Sequence, residues 1–160
     1  MTDTSRVRCV LDADNHLGES PLWSVDEQAL YWVNCEQPPE LHRWTYGTQV
    51  HDKWRLPSRV GGLVLRAKAQ VTLALADGIY HLNPADGSLS LFVRSPLPEH
   101  VKLHECQCDR QGRLWVGSYD HHFTPATRDA KGGAFFRLDK SSLTPVIPAI
   151  PHPSYSNHNG

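Results

Sequence analysis

The sequence has almost no net charge and no long apolar segment. Its 160 residues contain 16 Lys and Arg against 17 Asp and Glu, which gives a formal charge of −1 at pH 7. Proteins that bind nucleic acids or membrane surfaces through charge carry a clustered basic excess, so we expect no nucleic-acid partner and no membrane partner. The longest apolar runs, such as residues 71–76, are far too short to span a bilayer.

Cysteine is scarce, and the N-terminal segment lacks the apolar stretch of a secretory signal. The four cysteines are Cys9, Cys35, Cys106 and Cys108. In a chain of this length without a secretory signal, we expect them to be reduced thiols of a cytoplasmic protein and not a disulfide framework. The common nucleotide-binding, serine-hydrolase, zinc-protease and EF-hand motifs are also missing.

The sequence also lacks the periodicity of helices. No stretch of a dozen residues repeats its apolar positions with helical spacing. Instead, short aromatic or β-branched segments stand between turn residues, at residues 29–33, 71–75 and 113–117. Twelve Pro and eleven Gly divide the chain into short elements. The sequence therefore predicts an all-β fold.

Three segments repeat one pattern, a polar turn followed by a short apolar strand. They cover residues 23–34, 65–78 and 108–119, and aligning Trp32, Leu73 and Trp115 gives spacings of 41 and 42 residues. A second pair of strands follows each segment, most clearly around the turn formed by Asp86 and Gly87. A four-stranded repeat of this length is typical of a β-propeller blade, whereas a β-sandwich, the alternative, repeats its turns at a shorter spacing.

The length of the chain is about half of what a complete propeller needs. Propellers close with roughly 4–8 blades, and 160 residues at this spacing supply about three to four. We therefore treat residues 1–160 as one partial propeller domain that is incomplete at its C-terminus. An unclosed arc exposes sheet faces and edges, which predicts self-association or pairing with another chain.

Two groups of residues have chemistry that suits a metal ion. Glu19 stands in the segment LGESPLW, where a carboxylate can bind a hard cation. His104, Cys106 and Cys108 alternate, so on a strand they would share one face and offer ligands for zinc or copper. A solvated glutamate and a strand with packed thiols are the structural alternatives.

Further polar residues lie beyond a strand end and near the end of the sequence. Asp120, His121 and His122 follow the strand that ends in Gly-Ser-Tyr, and they carry groups fit for acid–base or ligand roles. Asn159 precedes Gly160 and can offer a carbonyl oxygen to a hard metal. A polar loop and a simple turn are the alternatives.

Several of these segments resemble one known family, the senescence marker protein / gluconolactonase / luciferin-regenerating enzyme family, whose members are regucalcin-like. LGESPLW with Glu19 is similar to the family's opening, and residues 60–89 resemble its second blade. CDRQGRLWVGSYD (108–120) resembles its D-x-x-G-R-x-W-x-G strand, and GGAFFRLD (132–139) resembles the segment that follows. The resemblance implies a six-bladed propeller that hydrolyses sugar lactones and related esters.

The resemblance also implies one divalent metal ion in the central channel, calcium or zinc, with manganese as a further alternative. Glu19 matches the family's glutamate ligand. Asn159 matches its asparagine ligand, with Asn157 as the alternative. The third ligand is an aspartate that is also the expected general base. No residue of this chain matches it, and we expect it at a position beyond Gly160.

The same resemblance implies a small-molecule lactone as substrate. Lys102 and His104 stand where the family often has an Arg-x-Asn-Asp-Gly segment, and His122 stands near an acidic position of the family. These three residues are the candidate substrate-binding residues. The sequence thus predicts a metal-dependent lactonase, inactive or nearly so as this chain, and leaves open a non-catalytic propeller fragment that pairs with another chain.

Overall fold

The computed structural model describes residues 8–67, 69–121, 131–140 and 142–151, without the side chains of residues 131, 132 and 147–151. These ranges form twelve β-strands and contain no α-helix, which confirms the all-β prediction. Nor do they contain a helix with the length and hydropathy that a membrane crossing requires. The strands are β1 (Gly18–Ser24), β2 (Ala29–Asn34), β3 (Glu40–Thr45), β4 (His51–Arg55), β5 (Val60–Arg66), β6 (Gln70–Leu75), β7 (Gly78–Asn83), β8 (Ser88–Arg94), β9 (Val101–Cys108), β10 (Leu114–Asp120), β11 (Lys131–Asp139) and β12 (Ser142–Pro151).

The strands form three four-stranded sheets, each built from consecutive antiparallel strands. Sheet 1 contains β1–β4, sheet 2 contains β5–β8 and sheet 3 contains β9–β12, which matches the three predicted repeats. The predicted turn between β7 and β8 is also present. Gly87 has a φ of 71°, a conformation that glycine adopts without steric cost, and its amide donates to the carbonyl of Asn83 at 2.8 Å.

The turn that leads into β10 is organised by one carboxylate. Asp109 Oδ1 accepts hydrogen bonds from the amides of Gln111 and Arg113 at 2.9 and 3.0 Å. Its Oδ2 accepts from Nε of Arg113 at 2.6 Å and from the indole Nε1 of Trp115 at 2.9 Å. The Trp115 bond and then the Arg113 contacts hold the pKa of Asp109 well below its usual range. Gly112 has a φ of 75°, so the Asp, Gly, Arg and Trp of this motif are accounted for by the turn itself.

Two apolar cores fill the spaces between the sheets. Because side chains alternate along a strand, each sheet can pack against a neighbour on both faces. The first core, between sheets 1 and 2, contains Ala29, Tyr31, Val33, Cys35, Leu41, Leu56, Val60, Leu63, Val71, Leu73, Leu75 and Leu82. The second core, between sheets 2 and 3, contains Val64, Ala74, Ile79, Val93, Leu103, Leu114, Val116, Phe136 and Leu143.

The cores correct the alignment of the third repeat by one residue. Leu73 lies in the first core and so faces the preceding sheet. In sheet 3 the residues that face the preceding sheet are Leu114 and Val116, and Trp115 points to the other face between them. Val116, and not Trp115, is therefore equivalent to Leu73 in orientation. Matching the aromatic residues of β2 and β10 by type gives the wrong register, since a slip of one residue reverses the face of a strand.

A pair of histidines, one buried and one half-buried, lies on the face of sheet 1 that is opposite the first core. His42 is fully buried, and its Nδ1 lies 2.9 Å from Nε2 of His51. The indole ring of Trp32 lies near both imidazoles, with ring centroids 4.9 and 5.3 Å away. Trp32 donates its Nε1 hydrogen to Oδ1 of Asn15 at 2.7 Å. Asn15 and Glu40 approach Nε2 of His42 at 3.4 and 3.3 Å, so the segment before β1 is bound to this cluster.

Candidate functional site

The first strands of the three sheets line the inner side of the arc. β1, β5 and β9 are edge strands of their sheets, and β5 lies against both β1 and β9. Each of them contains a β-bulge near its beginning, after Glu19 in β1, after Val60 in β5 and after Leu103 in β9. Because a bulge breaks the alternation of side chains, it redirects the residues next to it. The three bulges therefore set which side chains point into the channel.

Two glycines allow β5 and β9 to approach closely at this level. A Cβ on Gly61 would overlap the backbone of His104. A Cβ on Gly62 would lie 2.8 Å from the amide nitrogen of Cys106. Only glycine fits at such distances, so the Gly-Gly pair at the start of β5 fixes the position of His104 relative to sheet 2.

Glu19 lies at the channel wall, as the first strand enters its bulge. It is half-buried and faces Val33 of β2. The next residue, Ser20, has a φ of 55°, a left-handed conformation that a serine adopts only when its surroundings impose it. Glu19 lines a cavity of about 830 Å³ together with Glu105 and Trp115. The carboxylate therefore stands in an open space large enough for a small molecule.

His104 lies beside one aromatic ring, that of Tyr119, and near one cationic group, the guanidinium of Arg59. Its imidazole meets the ring of Tyr119 edge-on, with centroids 5.2 Å apart and an interplanar angle of 82°. The guanidinium carbon of Arg59 stands 5.1 Å from the centroid of the same tyrosine ring. Nε of Arg59 lies 3.6 Å from Oε2 of Glu36. Arg59 comes from the loop before β5, and Tyr119 from the end of β10.

The electrostatics of this group keep the His104 imidazole neutral. Burial lowers the pKa of His104, and the positive charge of Arg59 lowers it further. The carboxylates of Glu19 and Glu105 act in the opposite direction, and their effect is smaller. A neutral imidazole both donates and accepts a hydrogen bond, which suits contact with a hydroxyl group. The thiol of Cys35 is inert here, because burial and the nearby Glu19 carboxylate raise its pKa to about 12.

Lys102 pairs with Tyr119 across β9 and β10 but does not line the cavity of Glu19. Lys102 lines a different cavity of about 410 Å³, together with Glu99, His100 and His121. Of the predicted site residues, Glu19 and His104 therefore lie close enough to interact electrostatically, and Lys102 lines a separate cavity. The remaining candidates, His122, Asn157 and Asn159, lie outside the described residues.

The alternative zinc site of His104, Cys106 and Cys108 is not assembled. The bulge after Leu103 places His104 and Glu105 together opposite Gly117, which ends the alternation that would have placed His104 on the same face as Cys106 and Cys108. Burial raises the pKa of Cys106 to about 12, so the thiolate form that binds metals is disfavoured. Within the described ranges, no three His, Cys, Asp or Glu residues are grouped so that they can hold a metal ion.

The described residues supply only part of a ligand set for the metal that the resemblance implies. Glu19 and Glu105 place two carboxylates on one cavity, and carboxylate oxygens suit calcium and other hard cations. The asparagine candidates lie outside the described residues. Gly160 lies outside them as well, so the prediction of an aspartate ligand and general base beyond Gly160 stays a prediction.

Sequence reasoning missed Arg59, Tyr119 and Glu36. Arg59 stands directly before β5, and Glu19 is the second residue of β1, so both lie where the first strand of a sheet begins. An alignment of the first strands of the blades would have placed it at the same end of the channel as Glu19. Tyr119 lies near the end of the D-x-x-G-R strand, and the motif gives no sign of its contact with Arg59. No local pattern marks Glu36, which lies in the loop after β2.

Three four-stranded antiparallel sheets arranged about a channel, with each first strand innermost, define a β-propeller. The comparison with known families agrees with this class. Residues 17–154 match the family described as SMP-30/Gluconolactonase/LRE-like region, and the chain belongs to that family. The family that the sequence motifs indicated is thereby confirmed.

Individual relatives extend this result. The chain is 34% identical over 143 residues to 6-deoxy-6-sulfogluconolactonase of Pseudomonas putida, a match that covers 88% of this chain and 47% of that protein. It is 31% identical over 141 residues to pentonolactonase XacC of Haloferax volcanii, covering 86% and 44%. The crystal structure of the calcium-binding protein regucalcin from Agrobacterium tumefaciens superposes with a TM-score of 0.74 at 20% identity, covering 86% and 45%. The chain spans about half the length of the relatives it matches.

Proposed function

We propose that this chain belongs to a protein that hydrolyses sugar lactones with the help of one divalent metal ion, calcium or zinc, with manganese as the alternative. Two relatives with more than 30% identity are named as sugar lactonases, which supports the reaction class. A solved relative is named as a calcium-binding protein, which supports a divalent metal. The observation that carries the proposal is the position of Glu19 on the bulged first strand, at a cavity lined by a second carboxylate.

The residues of this chain receive the following roles in the proposal. Glu19 is a metal ligand, and Asn159, or alternatively Asn157, is a second one. A divalent ion bound there would polarise the lactone carbonyl and lower the pKa of a bound water. His104 contacts substrate hydroxyls as a neutral imidazole, while Lys102 and His122 contribute further substrate contacts.

The proposal includes low activity for the 160-residue chain. The family resemblance assigns the third metal ligand and the general base to one aspartate, expected beyond Gly160, and no residue of these 160 matches it. A carboxylate base is needed to remove a proton from the attacking water. We also propose a cytoplasmic protein, since its four cysteines are free thiols.

The test is a lactone hydrolysis assay on the 160-residue chain and on a version extended to the length of the relatives. D-glucono-1,5-lactone is the substrate, with Ca²⁺, Zn²⁺ or Mn²⁺ added and with a chelator as the control. We expect metal-dependent hydrolysis by the longer version and little by the shorter. Full activity in the shorter chain would refute the low-activity proposal, and an inactive longer version would refute the lactonase proposal.

A second candidate is a propeller fragment that associates through its open faces. Large apolar side chains are exposed in β8 and β11, among them Leu91 at 43%, Phe92 at 41% and Phe135 at 45% exposure. Exposed apolar surface of this kind favours association. Sedimentation velocity tests it, because a monomer at micromolar concentration with a cooperative thermal transition would argue against the candidate.

A further inference from the structure

Arg59 is a cation at the channel, and part of its hydrogen-bonding capacity is not used by its described neighbours. Its side chain is only 18% exposed. Its Nε lies 3.6 Å from Oε2 of Glu36, which is too far for a hydrogen bond, and its Nη1 is buried without a partner among the described residues. The guanidinium lies over the ring of Tyr119 at 5.1 Å. A half-buried cation with unsatisfied donors is costly unless something else pairs with it.

Arg59 is placed on the same end of the channel as the candidate site. It immediately precedes β5, and Glu19 is the second residue of β1, so both stand where first strands begin. Both charges act on the same imidazole, that of His104. The closest approach of β5 and β9, at Gly61 and His104, lies two residues from Arg59. A ligand that reaches Glu19 and His104 therefore also comes near the guanidinium.

We propose that Arg59 makes this site selective for lactones that carry a negatively charged substituent, such as a carboxylate. A guanidinium presents its donors as a planar fork that matches a carboxylate, and the stack on Tyr119 keeps the fork oriented. The inference rests on the proposed lactonase function and adds the charge of the substrate to it.

Glu36 is a competitor for the same guanidinium. Its carboxylate is 38% exposed and loosely paired with Arg59 at 3.6 Å. If Arg59 binds the anionic group of a substrate, removing the charge of Glu36 strengthens that binding. If Arg59 is only a structural link from sheet 2 to Glu36 and Tyr119, removing either Arg59 or Glu36 has the same effect. The two roles therefore predict opposite changes in the affinity of Glu36→Gln for a lactone with an anionic group.

The experiment compares two lactones of the same ring size by isothermal titration calorimetry. D-glucaro-1,4-lactone has a carboxylate where D-glucono-1,4-lactone has a hydroxymethyl group. The proteins are the 160-residue chain and its Arg59→Gln, Arg59→Lys, Glu36→Gln and Arg94→Gln variants. Arg94 is the matched control, because it is 68% exposed and paired with Asp77 in sheet 2.

We expect the unsubstituted chain to prefer the glucarolactone by about tenfold to a hundredfold, the range of a charge-assisted hydrogen bond. Arg59→Gln abolishes this preference without changing the affinity for the gluconolactone, Arg59→Lys retains part of it, and Glu36→Gln increases it. Arg94→Gln leaves it unchanged. Added salt weakens the binding of the glucarolactone only.

Other outcomes overturn the inference in recognisable ways. A chain that binds both lactones equally, or an Arg59→Gln variant that loses affinity for both, would leave the lactonase proposal intact and refute the role of Arg59. Binding of neither lactone would refute this inference, whereas the lactonase proposal is decided separately by the hydrolysis assay on the version extended to the length of the relatives. If Arg59→Gln lacks a cooperative unfolding transition and so is not properly folded, the Arg59→Lys variant decides between the two roles. An equal loss of affinity for both lactones in that variant means a structural role of Arg59.

Discussion

Protonation of His42 is expected to destabilise the fold as the pH falls below 6.5. The imidazole is fully buried, and burial is the main cause that lowers its pKa from 6.5 to about 4, with the neighbouring His51 as the second cause. The groups that face it are His51, Lys53, Glu40 and Asn15. Of these, Lys53 lowers the pKa further, and the Glu40 carboxylate raises it without reversing the effect of burial.

The sign and size of the effect follow from linkage. In the unfolded chain the imidazole takes up its proton near pH 6.5, and in the folded chain only near pH 4. Between these values the unfolded state binds more protons, so stability is fully present above pH 6.5 and is lost as the pH falls towards 4. At about 1.4 kcal/mol per pKa unit, the loss amounts to about 3 kcal/mol, a large part of the stability of an ordinary domain.

Urea denaturation at pH values from 7.5 to 4.5 measures this loss. Carboxylates whose pKa is lowered in the folded chain, such as Asp109, contribute little to the change above pH 4.5, because their protonation reduces the stability only at lower pH. We expect a steep fall in the free energy of unfolding for the unsubstituted chain. His42→Gln should be less stable at pH 7.5 and should show a flatter dependence, in which His51, His81 and His104 keep part of the slope because burial lowers their pKa values as well. The exposed control His100→Gln should keep the original slope.

Two results would refute the reasoning. One is a free energy of unfolding that does not change between pH 7.5 and 4.5. That result would mean that the His42 imidazole has the same pKa in the folded and in the unfolded chain, although its side chain is fully buried. The other is a His42→Gln variant with the same slope as the unsubstituted chain. That slope would have to come from other groups, and the cluster of His42, His51 and Asn15 would not be the acid-sensitive part of the fold.

Two further substitutions test the packing. Gly61→Ala is expected to cost about 1–3 kcal/mol of stability in thermal or urea unfolding, because its methyl group would overlap the backbone of His104. The control Gly47→Ala should cost close to nothing, because a methyl group there meets nothing within 4 Å. An equal effect of both substitutions would contradict the close approach of β5 and β9. Asp109→Ala should lower the stability of sheet 3 and increase the solvent exposure of the Trp115 indole, as followed by tryptophan fluorescence, and an unchanged emission spectrum would speak against the hydrogen bond between them.

The sequence predicted those parts of the fold that depend on local pattern. The strand segments at residues 29–33, 71–75 and 113–117, the Asp-Gly turn and the repeat of four strands all reflect alternation and turn chemistry, which neighbouring residues decide. The alignment of Trp115 with Leu73 was wrong by one residue, because an aromatic residue in a strand marks packing without saying on which side. The register of a blade depends on the sheet before it, and that information is not local.

The candidate site was less accessible to sequence reasoning. Glu19 and His104 were found through their motifs, and the structure places them near each other. The bulges that orient them were not visible, because an extra residue in one strand can only be seen against its partner. Arg59 and Tyr119 meet at the channel from different sheets, 60 positions apart in the chain, and their contact depends on the packing of sheet 2 against sheet 3.

The most direct test of the lactonase proposal is the effect of Glu19 on metal-dependent hydrolysis. The measurement is kcat/KM for D-glucono-1,5-lactone at saturating metal, in the version extended to the length of the relatives, for Glu19→Gln and for the exposed control Asp26→Asn. We predict that Glu19→Gln loses more than the roughly 10- to 100-fold that outer-shell partners of a metal contribute, together with metal affinity. Asp26→Asn should keep both. A Glu19→Gln variant with unchanged activity and metal affinity would contradict the account.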